Sequence, residues 1–167
     1  MTNQEGASNN EQMLAACRID QIDTLVQILD DGNFDPNYTD SVGNTAAHYA
    51  AKGGSIECLE ALVNLDDIDL DIKDHMEGNT PLHKAVEYQS KDVPVAECMV
   101  DLLLQGGADP SIENRNKSTP LLMVDSRNTK LKELLEQGLV AYQMADSDIA
   151  DEDDYGDDID SDDQASN

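Results

Sequence analysis

Apolar positions recur along this chain in short bursts at helical spacing, and each burst follows a turn. In "EGNTPLHKAV" (77–86), Gly78 and Asn79 favour a turn. Thr80 is a good helix N-cap, and Pro81 suits the first helical position, where its missing N–H costs nothing. Leu82, Ala85 and Val86 then share one helical face. The cassette recurs as "GNTAAHYAA" (43–51) and "KSTPLLMV" (117–124). Thr45, Thr80 and Thr119 are its landmarks, 35 and 39 residues apart, with Pro120 repeating Pro81. Each cassette leads to a second apolar run: "CLEALVNL", "CMVDLLLQGGADPS" and "LKELLEQG". "EQMLAAC" (11–17) lies 34 residues before Thr45 and keeps the apolar spacing without the Thr-Pro. The pattern predicts paired short helices, repeated about four times.

A period near 33 residues carrying T-P-L-H-x-A is the ankyrin signature. The chain resembles the ankyrin-repeat family from about residue 9 to 142, most specifically in "GNTPLHKA" and "LLLQGGADPS". The resemblance implies an all-α solenoid of about four helix–turn–helix repeats with hairpin-like connectors. The repeats fall at about 9–40, 41–74, 75–114 and 115–144, in a domain spanning 9–144. A disordered leader is expected at 1–8 and a disordered acidic tail at 145–167. The third repeat carries about six extra residues at "YQSKDVP", a loop between helices, and the fourth is about two short at "DSRNTK".

Aromatic residues make up only 4%, so the core falls to Leu, Ile, Val and Ala. No apolar run approaches the roughly 18 residues of a membrane span. Three scattered cysteines, Cys17, Cys58 and Cys98, form no C-x-x-C and fit a reducing compartment, the cytoplasm or nucleus.

Charge changes the picture most. The chain carries 36 acids and 10 Lys or Arg, a net charge of −26. Eleven acids and no base follow Ala145, among them Asp146, Asp148, Asp151, Glu152, Asp153, Asp154, Asp157 and Asp158. Removing them leaves 25 acids against 10 bases, a body near −15. Such a field argues against direct nucleic-acid binding, which needs a basic patch. Within the body, Asp30, Asp31, Asp35 and Asp40 flank one connector, and Asp66, Asp67, Asp69, Asp71 and Asp74 another.

The ankyrin resemblance implies that the connectors form fingers beside the inner helices, lining a concave face where partners bind. On this sequence it points to Asp40, Ser41, Val42, Asn44 and Tyr49, then Asp74, His75, Met76, Glu77, Asn79 and Lys84, then Arg115, Asn116, Ser118 and Met123. Val42, Tyr49 and Met76 are expected to be solvent-exposed anchors. His48 and His83 hold one slot in successive repeats, and the resemblance implies that each bonds backbone between repeats. As a metal pair they lack a third ligand at fixed spacing. No nucleophile, phosphate-loop or dinucleotide motif is present. The sequence therefore predicts no enzyme, metal or cofactor, but a protein-binding scaffold that is monomeric alone. Its acidity points to a basic partner, such as a ribosomal protein or histone held by an escort. The layout is similar to that of small fungal-type ankyrin proteins with acidic tails. The alternative is an adaptor whose tail serves only solubility.

Overall fold

The computed structural model describes the backbone of residues 8–165 and the side chains of residues 8–147. Its α-helices are α1 (Asn9–Arg18), α2 (Ile22–Asp31), α3 (Ala46–Gly53), α4 (Ile56–Val63), α5 (Pro81–Glu87), α6 (Val93–Gln105) and α7 (Thr129–Ala165). Two single 3₁₀ turns, Tyr88–Ser90 and Leu121–Met123, complete the set, and no strand occurs among the described residues. The helices stack in two layers. α1, α3, α5 and the Leu121–Met123 turn pack in series on the inside, and α2, α4, α6 and α7 on the outside.

Alanine sets the spacing of the inner layer. Ala46, Ala47, Ala50, Ala51 and Ala85 are buried, so inner helices approach closely through methyl groups. The outer helices fill the space between layers with Leu25, Leu59, Leu62, Met99, Leu103, Leu131 and Leu135, all fully buried. Leu82 is their counterpart on α5. Helices of seven or eight residues such as α3 and α5 are marginal alone, so stacking supplies their stability.

Caps define where the inner helices start. The Ser8 hydroxyl accepts from Glu11 N–H at 3.2 Å while Ser8 N–H donates to Glu11 Oε1 at 3.1 Å, the reciprocal capping box. Ser8 therefore belongs to the fold, and the rest of the expected leader lies outside the described residues. In α3 and α5, histidine takes the place of glutamate in the box. Thr45 N–H donates to His48 Nδ1 at 3.1 Å, and Thr80 N–H to His83 Nδ1 at 3.1 Å. Each Nδ1 is thus an acceptor, so the neutral ring carries its proton on Nε2. His48 Nε2–H then donates to Asn79 O at 2.8 Å, and His83 Nε2–H to Ser118 O at 2.9 Å. Each ring closes its own cap and holds the finger of the next repeat.

The fourth repeat departs from the expected helix pair. Thr119 and Pro120 open only the one-turn Leu121–Met123, with Leu122 N–H reaching Thr119 Oγ1 at 3.4 Å. Leu122 stands in the histidine slot and is 69% exposed, so no ring closes the Thr119 cap. Asp125 then ends the turn, accepting Arg127 N–H at 2.9 Å and pairing with its guanidinium at 2.8 Å. The extra residues of the third repeat reinforce this short unit. Gln89 donates to Met123 O at 2.8 Å and accepts from Asp125 N–H at 2.9 Å and from Asn128 at 2.7 Å. The inserted loop thus clasps the shortened repeat.

α7 closes the outer layer. Its side chains from Ala141 to Ser147 are all exposed, Asp146 among them, and its backbone continues as helix to Ala165. No proline interrupts 129–165. The acidic side chains from Asp148 onward lie outside the described residues.

Two measurements test this packing. Leu82→Ala removes a fully buried side chain and should cost about 2–5 kcal/mol in chemical denaturation. The second concerns pH. Burial disfavours the charged ring and holds both His48 and His83 below the ordinary histidine range, although the carbonyl partners pull the other way. Between the depressed folded pKa and the unfolded value of about 6.5, the unfolded chain binds more protons than the folded one. Stability should therefore be full above that value and fall as the pH drops below it toward the depressed folded pKa. His48→Asn should flatten the slope.

Candidate functional site: the finger row

Three connectors stand side by side as fingers, at 40–44, 74–79 and 114–118. Each is closed at its base by a backbone bond: Asp40 N–H to Asn44 O (3.1 Å), Asp74 N–H to Asn79 O (2.9 Å) and Asn114 N–H to Ser118 O (3.0 Å). Each tip is wound around the side chain of its first residue. Asp40 Oδ1 accepts from Val42 and Asn44 N–H at 3.1 and 3.0 Å. Asp74 Oδ1 accepts from Glu77 and Gly78 N–H at 2.9 and 3.0 Å. Asn114 Oδ1 accepts from Asn116 and Ser118 N–H at 2.9 and 3.0 Å. Short acidic or amide side chains favour such local turns over secondary structure. Neighbouring fingers are joined by His75 N–H to Val42 O and Arg115 N–H to Glu77 O, both 2.9 Å.

These bonds correct the expected use of two acids. Asp74 is buried, and Asp40 is half-buried and also accepts the Tyr49 hydroxyl. For both carboxyls burial acts upward, yet hydrogen bonds outweigh it and hold the pKa below the ordinary value. The donors are Tyr49 and the Asn44 and Val42 amides for Asp40, and the Glu77 and Asn79 amides plus the Lys84 charge for Asp74. They are turn-forming acids rather than open acids facing a partner. Part of the second connector is committed likewise: Asp71 Oδ1 accepts Asp109 N–H at 2.8 Å, and Asp69 Oδ1 accepts Asp71 N–H at 2.9 Å.

The expected anchors divide. Met76 is 70% exposed at the crest of its finger and Val42 is 36% exposed on the one before. Tyr49 is not an open anchor. It is half-buried, its hydroxyl donates to Asp40, and the Arg18 guanidinium lies 5.6 Å from its ring centre. Lys84 is likewise enclosed, facing Asp74 and Glu77 at 3.7 Å and Glu87 at 4.0 Å. Ser41, His75, Glu77, Arg115 and Asn116 are exposed along the crests, while Met123 packs half-buried against the core. Arg18 and Lys117 were not among the expected residues. Lys117 occupies the left-handed slot that Gly43 and Gly78 fill in the earlier fingers, at φ +62° against +84° and +71°. Aligning the three fingers on their closing residues, Asn44, Asn79 and Ser118, reveals it.

Among the described residues, no three His, Cys, Asp or Glu side chains converge as a metal site would require. Cys17 and Cys58 are buried, and Cys98 is exposed. Among the described residues, no helix is long and apolar enough to cross a membrane. What the site offers is a row of rigid, hydrogen-bonded loops bearing side chains outward.

Comparison with known proteins matches this geometry. The family model described as ankyrin repeats (3 copies) matches residues 13–95, and the single ankyrin repeat model matches residues 77–115. An ankyrin repeat-containing protein of Saccharomyces cerevisiae, YGL242C, is 33% identical over 143 residues, covering 80% of this chain and 78% of that protein. The human transient receptor potential cation channel subfamily A member 1 is 36% identical over 101 residues, 58% of this chain but only 8% of the channel. Human ankyrin repeat domain-containing protein 53 is 35% identical over 83 residues, 50% of this chain and 15% of that protein. With these matches and the stacked helix pairs, the chain belongs to the ankyrin-repeat family.

Proposed function

We propose that this protein is a non-catalytic scaffold that binds a partner protein with its finger crests, as a monomer in the cytoplasm or nucleus. The observation that carries the reading is Met76, a large apolar side chain held 70% exposed on a finger with no evident freedom to bury it. Its finger is fixed to both neighbours by backbone hydrogen bonds, so contact there loses little loop entropy. Val42 extends the apolar contact on the adjoining crest.

A second reading, an escort for a basic client, is supported by the net charge of −26. A flexible or extended polyanion raises encounter rates and covers basic surface, without giving shape specificity. In this reading the client meets the acidic run and the outer loops, because Asp40 and Asp74 are committed to their turns.

A photo-crosslinking residue placed at 76 tests the first reading. It should capture partner protein in cells, whereas the same residue at exposed Glu60 on α4 should not. Met76→Ala with Val42→Ala should weaken the captured complex roughly tenfold or more, mainly through faster dissociation. Capture from position 60 alone would overturn the crest as the binding edge. Deleting residues 146–167 separates the second reading from the adaptor. Slower association and a flatter salt dependence support the escort, and indifference to both salt and tail leaves the adaptor.

A further inference from the structure

The bases of this acidic chain are unevenly occupied. Ion pairs among the described residues engage Lys84, Arg127 and Lys130, and Arg18 lies over Tyr49. Lys52, Lys73, Lys91, Arg115, Lys117 and Lys132 are exposed and have no ion pair among the described residues, although the chain holds 36 acids. Three of them gather at the fingers: Arg115 and Lys117 on the third, and Lys73 immediately before the second. A Cβ on Gly78 would lie 3.1 Å from Arg115 Cγ and 3.6 Å from Lys73 Cε, so both side chains crowd one point. Arg115 Nη1 reaches the carbonyl of Met76 at 3.4 Å, placing its charge beside the most exposed apolar side chain of the crest. The two acids of the second finger are engaged elsewhere. Asp74 winds its own turn and faces Lys84, and Glu77 is shared by Lys84 and Asn79.

Lys117 is an independent observation. Left-handed backbone is unfavourable for a residue with a Cβ, and the two preceding fingers fill this slot with glycine. A lysine held there keeps local strain in the fold and adds a third charge to the crest. Strain retained at an exposed crest is a reason to look for function in that side chain.

We propose that the second and third finger crests are a docking surface for an acidic segment of a partner protein. An apolar residue of that segment packs on Met76, and its carboxylates meet Lys73, Arg115 and Lys117. This rests on the scaffold reading and specifies its ligand chemistry. The body's negative field does not prevent such contact, because charges farther than about 8 Å are largely screened at physiological salt. It does remove electrostatic steering, so association is slow and affinity comes from contact.

The test is a titration of the ¹⁵N-labelled full chain with a synthetic peptide of glutamates flanking one leucine. Its lysine counterpart and oligouridylate serve as comparisons. The glutamate peptide should shift the amides of Met76, Gly78, Arg115 and Lys117. Changing Lys73 and Arg115 to Glu should weaken it about tenfold or more. Lys117→Gly is the decisive variant: it should raise the unfolding midpoint by relieving the left-handed strain and still weaken the peptide a few-fold. A merely structural lysine would give the first effect without the second, which would overturn the proposal. So would shifts at these amides from the lysine peptide or from oligouridylate in preference to the glutamate peptide. If neutralising the tail acids as Asn moves these amides with no peptide present, the occupant is the chain's own tail, and the partner proposal falls. Crosslinking from position 76 to a partner, with no response to the glutamate peptide, would retain the scaffold and discard only this ligand chemistry.

Discussion

The imidazole that spans two repeats is the interaction on which the rest of the structure depends. His48 and His83 each accept a threonine N–H on Nδ1 and donate from Nε2 to a carbonyl of the next finger. One neutral ring thereby satisfies a helix N-terminus and fixes the neighbouring loop. Buried polar atoms left without such partners would cost roughly 1–3 kcal/mol each, so ring, cap and finger stand or fall together. The inner helices, too short to persist alone, gain order from both sides of this bridge. Where the ring is missing, at Leu122, the inner helix shrinks to one turn and Gln89 takes over the tethering.

Rigid fingers give the acidic residues two different roles. The acids that open the fingers are spent on backbone N–H groups, and their depressed pKa values reflect those bonds. The remaining charge lies on the outer helices, on the loops and beyond Ala145. The crests of the second and third fingers depart from the chain's overall sign, with exposed bases around Met76. Net charge alone suggests a uniform acidic surface. The hydrogen bonds and ion pairs give one reason the crest differs: Asp74 and Glu77 are already engaged, by their own turn and by Lys84.

Much of this was legible in the sequence because helix caps are local chemistry. Thr80 and Pro81 before Leu82 announce a helix start, and the threonine spacing announces a repeated array. Three features were not legible for physical reasons. "KSTPLLMV" carries the same start signal as its predecessors, but its closing ring is replaced by Leu122, and the outcome depends on the Asp125 turn and the Gln89 clasp from another repeat. Asp40 and Asp74 look like surface acids until the turn geometry turns their oxygens inward. Tyr49 reads as an exposed anchor because its contacts, core packing and the Arg18 guanidinium one repeat away, are not local in sequence. In each case the deciding contact is made by a residue distant in sequence or by a turn whose shape composition does not specify. Lys117 is the converse case, visible in the sequence once the fingers are aligned on their closing residues, Asn44, Asn79 and Ser118.

The central claim is that neutral, Nε2-protonated imidazoles bridge successive repeats, and ¹⁵N nuclear magnetic resonance of the two ring nitrogens tests it most directly. At neutral pH, with burial holding their pKa below the ordinary histidine range, His48 and His83 should be uncharged. They should carry the proton on Nε2 and show slow exchange of that proton. Rings protonated on Nδ1, or carrying protons on both nitrogens, would contradict the bridge.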